Sequence, residues 1–128
     1  MKQGVCSFSG IEKQQPQQIL DVAITESFLE RNRGLLALAP LQVGQGLLIT
    51  KCNSIHTVGM HYPIDLIYLN RALQIVKLVM SIVPSRASIC WRASAVLEAY
   101  SGTIEALNLH VGMQMTYKVT AAAGTAEI

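Results

Sequence analysis

Apolar and polar residues alternate most clearly in four stretches of the chain. Leu20, Val22 and Ile24, interleaved with Asp21 and Ala23, predict a strand that begins near Ile19. Ile64-Asp65-Leu66-Ile67-Tyr68-Leu69 is apolar on nearly every position, which predicts a central strand covered on both faces. Asn70-Arg71 then turns the chain into a strand over 73–79, giving a hairpin. Met113, Met115, Tyr117 and Val119 alternate with Gln114, Thr116 and Lys118 in a last strand. The short runs Leu47-Leu48-Ile49 and Ala95-Val96-Leu97-Glu98-Ala99 add two more, and Ile55 to Val58 an extended piece.

Two short helices fit between these strands. Ser27 and Glu30 have capping-box spacing, Phe28 and Leu29 supply an apolar side, and Gly34 follows Arg31-Asn32-Arg33 as a helix stop. Gly102-Thr103 opens the second, which runs to Leu107 or Leu109. Residues 1–18 are poor in aliphatics and contain Pro16 and four glutamines, which predicts a flexible N-terminal arm. Residues 19–120 form one β-rich domain, and 121–128 a flexible tail. The expected fold is mainly β, a small jelly-roll-like sandwich or barrel of six to seven short strands with one or two short helices. Helices do not alternate with strands, so a parallel α/β sheet is disfavoured.

Composition narrows the function classes. Of the 128 residues, 51% are hydrophobic and only 14% charged, well below the roughly 25% charged residues of an ordinary soluble domain. A surface this short of charge points to self-association, as a homo-oligomer, or to a protein partner. The net charge of +2 and the scattered basic residues give no footprint for nucleic acid. Three cysteines without paired spacing argue against a disulfide framework or structural zinc and suit a reducing compartment. The first residues do not read as a signal peptide, and no run approaches the roughly 20 apolar residues of a membrane span. A cytoplasmic protein with no membrane contact is expected.

Taken in order, Arg31-Asn32-Arg33-Gly34-Leu35-Leu36, Gly46-Leu47-Leu48, His56-Thr57, Met60, Tyr62-Pro63-Ile64-Asp65, Val96-Leu97-Glu98, Gly102 and Val111-Gly112 resemble the motifs of the prokaryotic family called domain of unknown function 192. The stretch from Cys52 to Met60 is similar to a subgroup with His where others carry Trp. The resemblance covers about residues 20 to 117 and implies a compact jelly-roll-like β fold without an established activity. Met113 and His61 depart from it, standing where Asp and a basic residue are usual.

Candidate chemistry centres on the polar set Arg31, Arg33, His56, Asp65 and Glu98, which a small β domain can gather at one end. Two guanidiniums beside two carboxylates suit a ligand bearing a carboxylate or phosphate, or an internal ion network. Asp65, amid apolar neighbours, is expected to be partly buried and paired with Arg31 or Arg33. His56, His61 and Asp65 lack the spacing of a metal site, so no metal or other cofactor is expected. Cys52 and His56 would stand about 13 Å apart in an extended strand. The expected function is a non-catalytic small-ligand-binding or protein-interaction module, and the alternative is a small hydrolase-like enzyme with a cleft around His56 and Asp65.

Overall fold

The computed structural model describes residues 1–10, 18–37 and 40–121. Among the described residues the strands are β1 (Lys2–Ser9), β2 (Gln18–Ile24), β3 (Gln45–Thr50), β4 (Ser54–His56), β5 (Ile64–Leu69), β6 (Ile75–Ile82), β7 (Ala87–Ile89), β8 (Ala95–Tyr100) and β9 (Gln114–Ala121). Two short helices are α1 (Phe28–Arg33), continued by a 3-10 turn over Gly34–Ala37, and α2 (Thr103–Ala106). Seven strands make one sheet in the order β6-β5-β8-β3-β2-β1-β9, and β4 and β7 make a separate pair. All neighbours are antiparallel except β2 and β3, which are joined by the segment that carries α1.

The architecture is mainly β with two short helices, as expected, but the large sheet does not close into a barrel. Among the described residues its edge strands β6 and β9 meet at one corner, through a bridge between Gln74 and Gln114 and backbone bonds that join Leu73 and Ile75 to Gly112, Met113 and Met115. Of the two expected forms, the sandwich is therefore the one that stands.

Parity along the central strands sorts the core onto two faces. Leu48, Ile67, Leu69, Leu97 and Ala99 share one face with Phe8, Leu20 and Met115, covered by Ile104 of α2 and by Leu109. Leu47, Ile49, Leu66, Tyr68 and Val96 lie on the other, beneath Leu35, Leu41, Ile55, Met60 and Cys90. The second face is thus roofed by the β4–β7 pair and by the crossover between β2 and β3. Every residue of β5 is buried, as its unbroken apolar run predicted.

The expected loose arm is corrected over residues 2–9. Those residues form β1, hydrogen-bonded between β2 and β9, with Cys6 and Phe8 each 1% exposed. Gly4, Cys6 and Phe8 point inward and Val5 and Ser7 do not, so the period of two is present with few aliphatic residues to announce it. Residues 11–17, and 122–128 of the expected tail, lie outside the described residues.

Two local features are not evident from the sequence pattern. The positive φ of the β5–β6 hairpin falls on Leu73 (62°), while Asn70 holds the turn by accepting from the Gln74 amide at 3.0 Å. Helix α1 buries none of its residues, with Phe28 77% and Leu29 56% exposed. It is held by its ends instead. Ser27 Oγ accepts from the Glu30 amide at 3.2 Å, Glu30 Oε1 accepts from the Glu26 amide at 2.8 Å, and Leu35 anchors the following turn in the core.

Candidate functional site

Strand β8 pairs with β3 on one side and β5 on the other, which sets Glu98 directly across from Leu47 and Leu66. These cross-strand neighbours are wholly buried, and Glu98 itself is only 5% exposed. No described residue donates a hydrogen bond to its carboxyl. Loss of water around the carboxylate raises its pKa from 4.5 to about 7.

Above Glu98 opens a cleft of about 630 Å³. One wall comes from the crossover and holds Phe28, Arg31 and Gly34; the opposite wall comes from Ser54–His56 and Ala87–Ile89; Ile49 and Glu98 form the floor with Lys51 and Cys52 beside them. Gly34 closes α1 at a φ of 53°, and a Cβ there would stand 3.3 Å from Glu98 Oε1. The glycine therefore serves both the helix stop and the close approach of the crossover to the carboxyl. A second cavity, of about 640 Å³, shares Lys51, Cys52 and Ser54 with the first and reaches Arg71.

Of the polar residues expected to gather, Arg31, His56 and Glu98 line this cleft and Arg33 and Asp65 do not. Arg33 is two positions along the same helix and points away, exposed. Asp65 projects from the other face of the sheet. The expected pairing of Asp65 with an arginine is corrected: Oδ1 accepts from the Ser81 amide at 2.8 Å, and Oδ2 accepts from Gly102 at 3.1 Å and Ile104 at 2.9 Å. The Ser81 contact arises at a bulge, where Met80 and Ser81 together oppose Asp65 between the Ile64–Ile82 and Leu66–Val79 pairs. Neither Arg31 nor Arg33 forms an ion pair among the described residues.

Lys51 and Cys52 belong to the cleft but were not in the expected set. Lys51 has a φ of 51°, so the chain turns sharply as it leaves β3 and carries both side chains to the cleft rim. The Cys52 thiol donates to the Ser54 carbonyl at 2.9 Å, and burial pushes its pKa up. It is held as a thiol, not a nucleophilic thiolate. Thr57, beside His56, is fully buried: its hydroxyl donates to the Val83 carbonyl at 2.7 Å and accepts from the Arg86 amide at 2.8 Å. That bracket fixes β4 to the segment leading into β7. Tyr68 supports β7 from below, donating to Ser88 Oγ at 2.8 Å.

Among the described residues, no group of three or more His, Cys, Asp or Glu side chains is placed to hold a metal ion, and no helix is long and apolar enough to cross a membrane.

Comparison with known proteins adds a family and a fold. A family model described as "Uncharacterized ACR" matches residues 10–117. A crystal structure of a protein of unknown function from Novosphingobium aromaticivorans DSM 12444 superposes with a TM-score of 0.76 at 15% identity, over 88% of this chain and 83% of that one. A protein from Sinorhizobium meliloti 1021, described as a "putative transcription regulator", gives a TM-score of 0.79 at 17% identity over 91% and 94% of the two chains. At these identities the likeness shows the fold alone. Comparison with curated proteins gives no match.

Proposed function

The chain belongs to the domain of unknown function 192 family, and from the geometry of its cleft we propose that it is a non-catalytic module that binds a small organic anion. The observation that carries this reading is Arg31, which lines one cavity with Lys51 and His56 above Glu98 and forms no ion pair among the described residues. A cation without an internal counter-charge that faces a cavity marks a place where a ligand supplies the missing partner. Arg31 and Lys51 give the cavity its preference for a negative group. The cleft size falls within the roughly 300–1,000 Å³ usual for small-molecule sites.

The hydrolytic alternative needs Asp65 beside His56. The carboxyl of Asp65 lies on the opposite face of the sheet from the cleft and is committed to three backbone amides. The three cysteines are free thiols, which supports a reducing, cytoplasmic setting. We also place the chain in the His-Thr subgroup of the family. The net charge of +2 supports a reading without nucleic acid, although one structural relative is described as a regulator of transcription.

A thermal-shift panel of small carboxylates and phosphate monoesters tests the proposal. At least one compound is expected to raise the melting temperature of the wild type and not of Arg31→Ala. A panel that shifts neither protein, or shifts both equally, overturns it.

A further inference from the structure

We infer that the cleft takes a zwitterion with an apolar body, a free amino acid, whose ammonium group meets Glu98 and whose carboxylate meets Arg31 and Lys51. This rests on the reading of the cleft as a small-ligand site and names the chemistry of its occupant.

Three observations converge on it. First, Glu98 is a carboxyl 5% exposed that borders the cleft, with no hydrogen-bond donor from the described residues. Second, Arg31 and Lys51 line the same cavity yet neither comes within ion-pair distance of Glu98, so the site holds opposite charges kept apart. Third, the surface between them is apolar, from Ile49, Ile55, Ile89 and the exposed ring of Phe28.

A simple anion would satisfy the cations and leave Glu98 either neutral or repelling it. A simple cation would satisfy Glu98 and face two positive side chains at the rim. A molecule with an ammonium at one end of its polar part and a carboxylate at the other satisfies both, and its side chain covers the isoleucines. The raised pKa of Glu98, due to burial alone, is what a carboxyl shows when its counter-charge is missing. Gly34 leaves the space above Oε1 uncrowded, where any other residue would set a Cβ against it.

Calorimetric titration of the full chain with L-leucine and L-phenylalanine, and with leucinamide, N-acetyl-leucine and 4-methylpentanoate, tests this. One of the amino acids is expected to bind, with about tenfold or greater weakening when either charge is removed. Glu98→Gln is expected to weaken leucine binding by a similar factor of about ten while changing 4-methylpentanoate by less than about twofold. A circular-dichroism melt of that variant separates loss of a contact from loss of fold. If 4-methylpentanoate binds as well as leucine, the zwitterion is overturned and the anion site stands. If no amino acid binds up to about 10 mM while another compound of the anion panel does, the inference again falls alone. Silence in both panels overturns both.

Discussion

Asp65 Oδ2 accepts from the amide of Ile104 at 2.9 Å, so a carboxylate on β5, next to the sheet edge, caps the first turn of a helix 39 residues later in the chain. Helix α2 has no side-chain cap of its own, because Gly102 occupies its N-cap position. The sheet supplies what the helix lacks, and the same carboxylate also satisfies the Ser81 amide at the β6 bulge.

Replacing Asp65 with Ala should therefore cost about 3–5 kcal/mol, since it strands several buried donors at once. Asp65→Asn should cost less, because its remaining carbonyl oxygen still accepts. Denaturant unfolding measures both. A change within about 0.5 kcal/mol for the alanine variant would be typical of an exposed site and would contradict this role.

Deletion of residues 1–10 should abolish cooperative unfolding. It removes β1 from between β2 and β9 and leaves β9 without its ladder partner in the sheet. The milder change Phe8→Ala should cost about 3–5 kcal/mol through the cavity it leaves. A truncated chain that melts as sharply as the full one would show that β1 is dispensable.

The β1–β9 contact gives a sharper test at one atom. A Cβ on Gly4 would lie 2.7 Å from the Lys118 carbonyl oxygen, too close for either backbone to hold its place. Gly4→Ala should destabilise by about 1–3 kcal/mol. Gly10→Ala, where a Cβ meets nothing within 4 Å, is the control and should stay near wild type.

Stability should fall with rising pH because of Glu98. Its pKa is raised in the folded chain from 4.5 to about 7. Between those values the folded state holds a proton that the unfolded state has released, so stability is greatest below 4.5 and is lost as pH rises through about 7. The loss is about 3 kcal/mol in all. Glu98→Gln should remove this slope, so its advantage over the wild type grows by about 2–3 kcal/mol between pH 5 and pH 8 in denaturant melts. A difference that stays flat with pH would show that the carboxyl is not held as described.

Much of the sheet was legible from sequence, and the reasons differ by element. The boundaries of β5 follow from Pro63 and Asn70 flanking six residues that carry their own signal. Strand β1 was missed because burial there falls on Gly4, Cys6 and Phe8, and β7 because its three residues bury none of their number, so neither stands out as an apolar run. In the site, Arg31, His56 and Glu98 were legible as a polar set. Asp65 was misplaced because its face relative to Glu98 depends on register: Leu66, not Asp65, lies across from Glu98, and spacing within one strand cannot reveal that. Lys51 and Cys52 reach the cleft through a backbone turn that the sequence marks with no glycine.

The crossover between β2 and β3 contributes no rung to the sheet, yet it supplies Arg31, Phe28 and Gly34 to the cleft. Its two ends are fixed by the parallel ladder and by Thr25, whose hydroxyl accepts from the Thr50 amide at 3.2 Å. Leu35 and Leu41 tie that excursion to the core, so only its outward-facing positions, such as Phe28, can change without disturbing the strands beneath it. The floor with Glu98 and the anchored part of the wall are tied to the core, whereas the exposed rim is not, so a change at the rim can alter what the cleft selects while the scaffold stays the same.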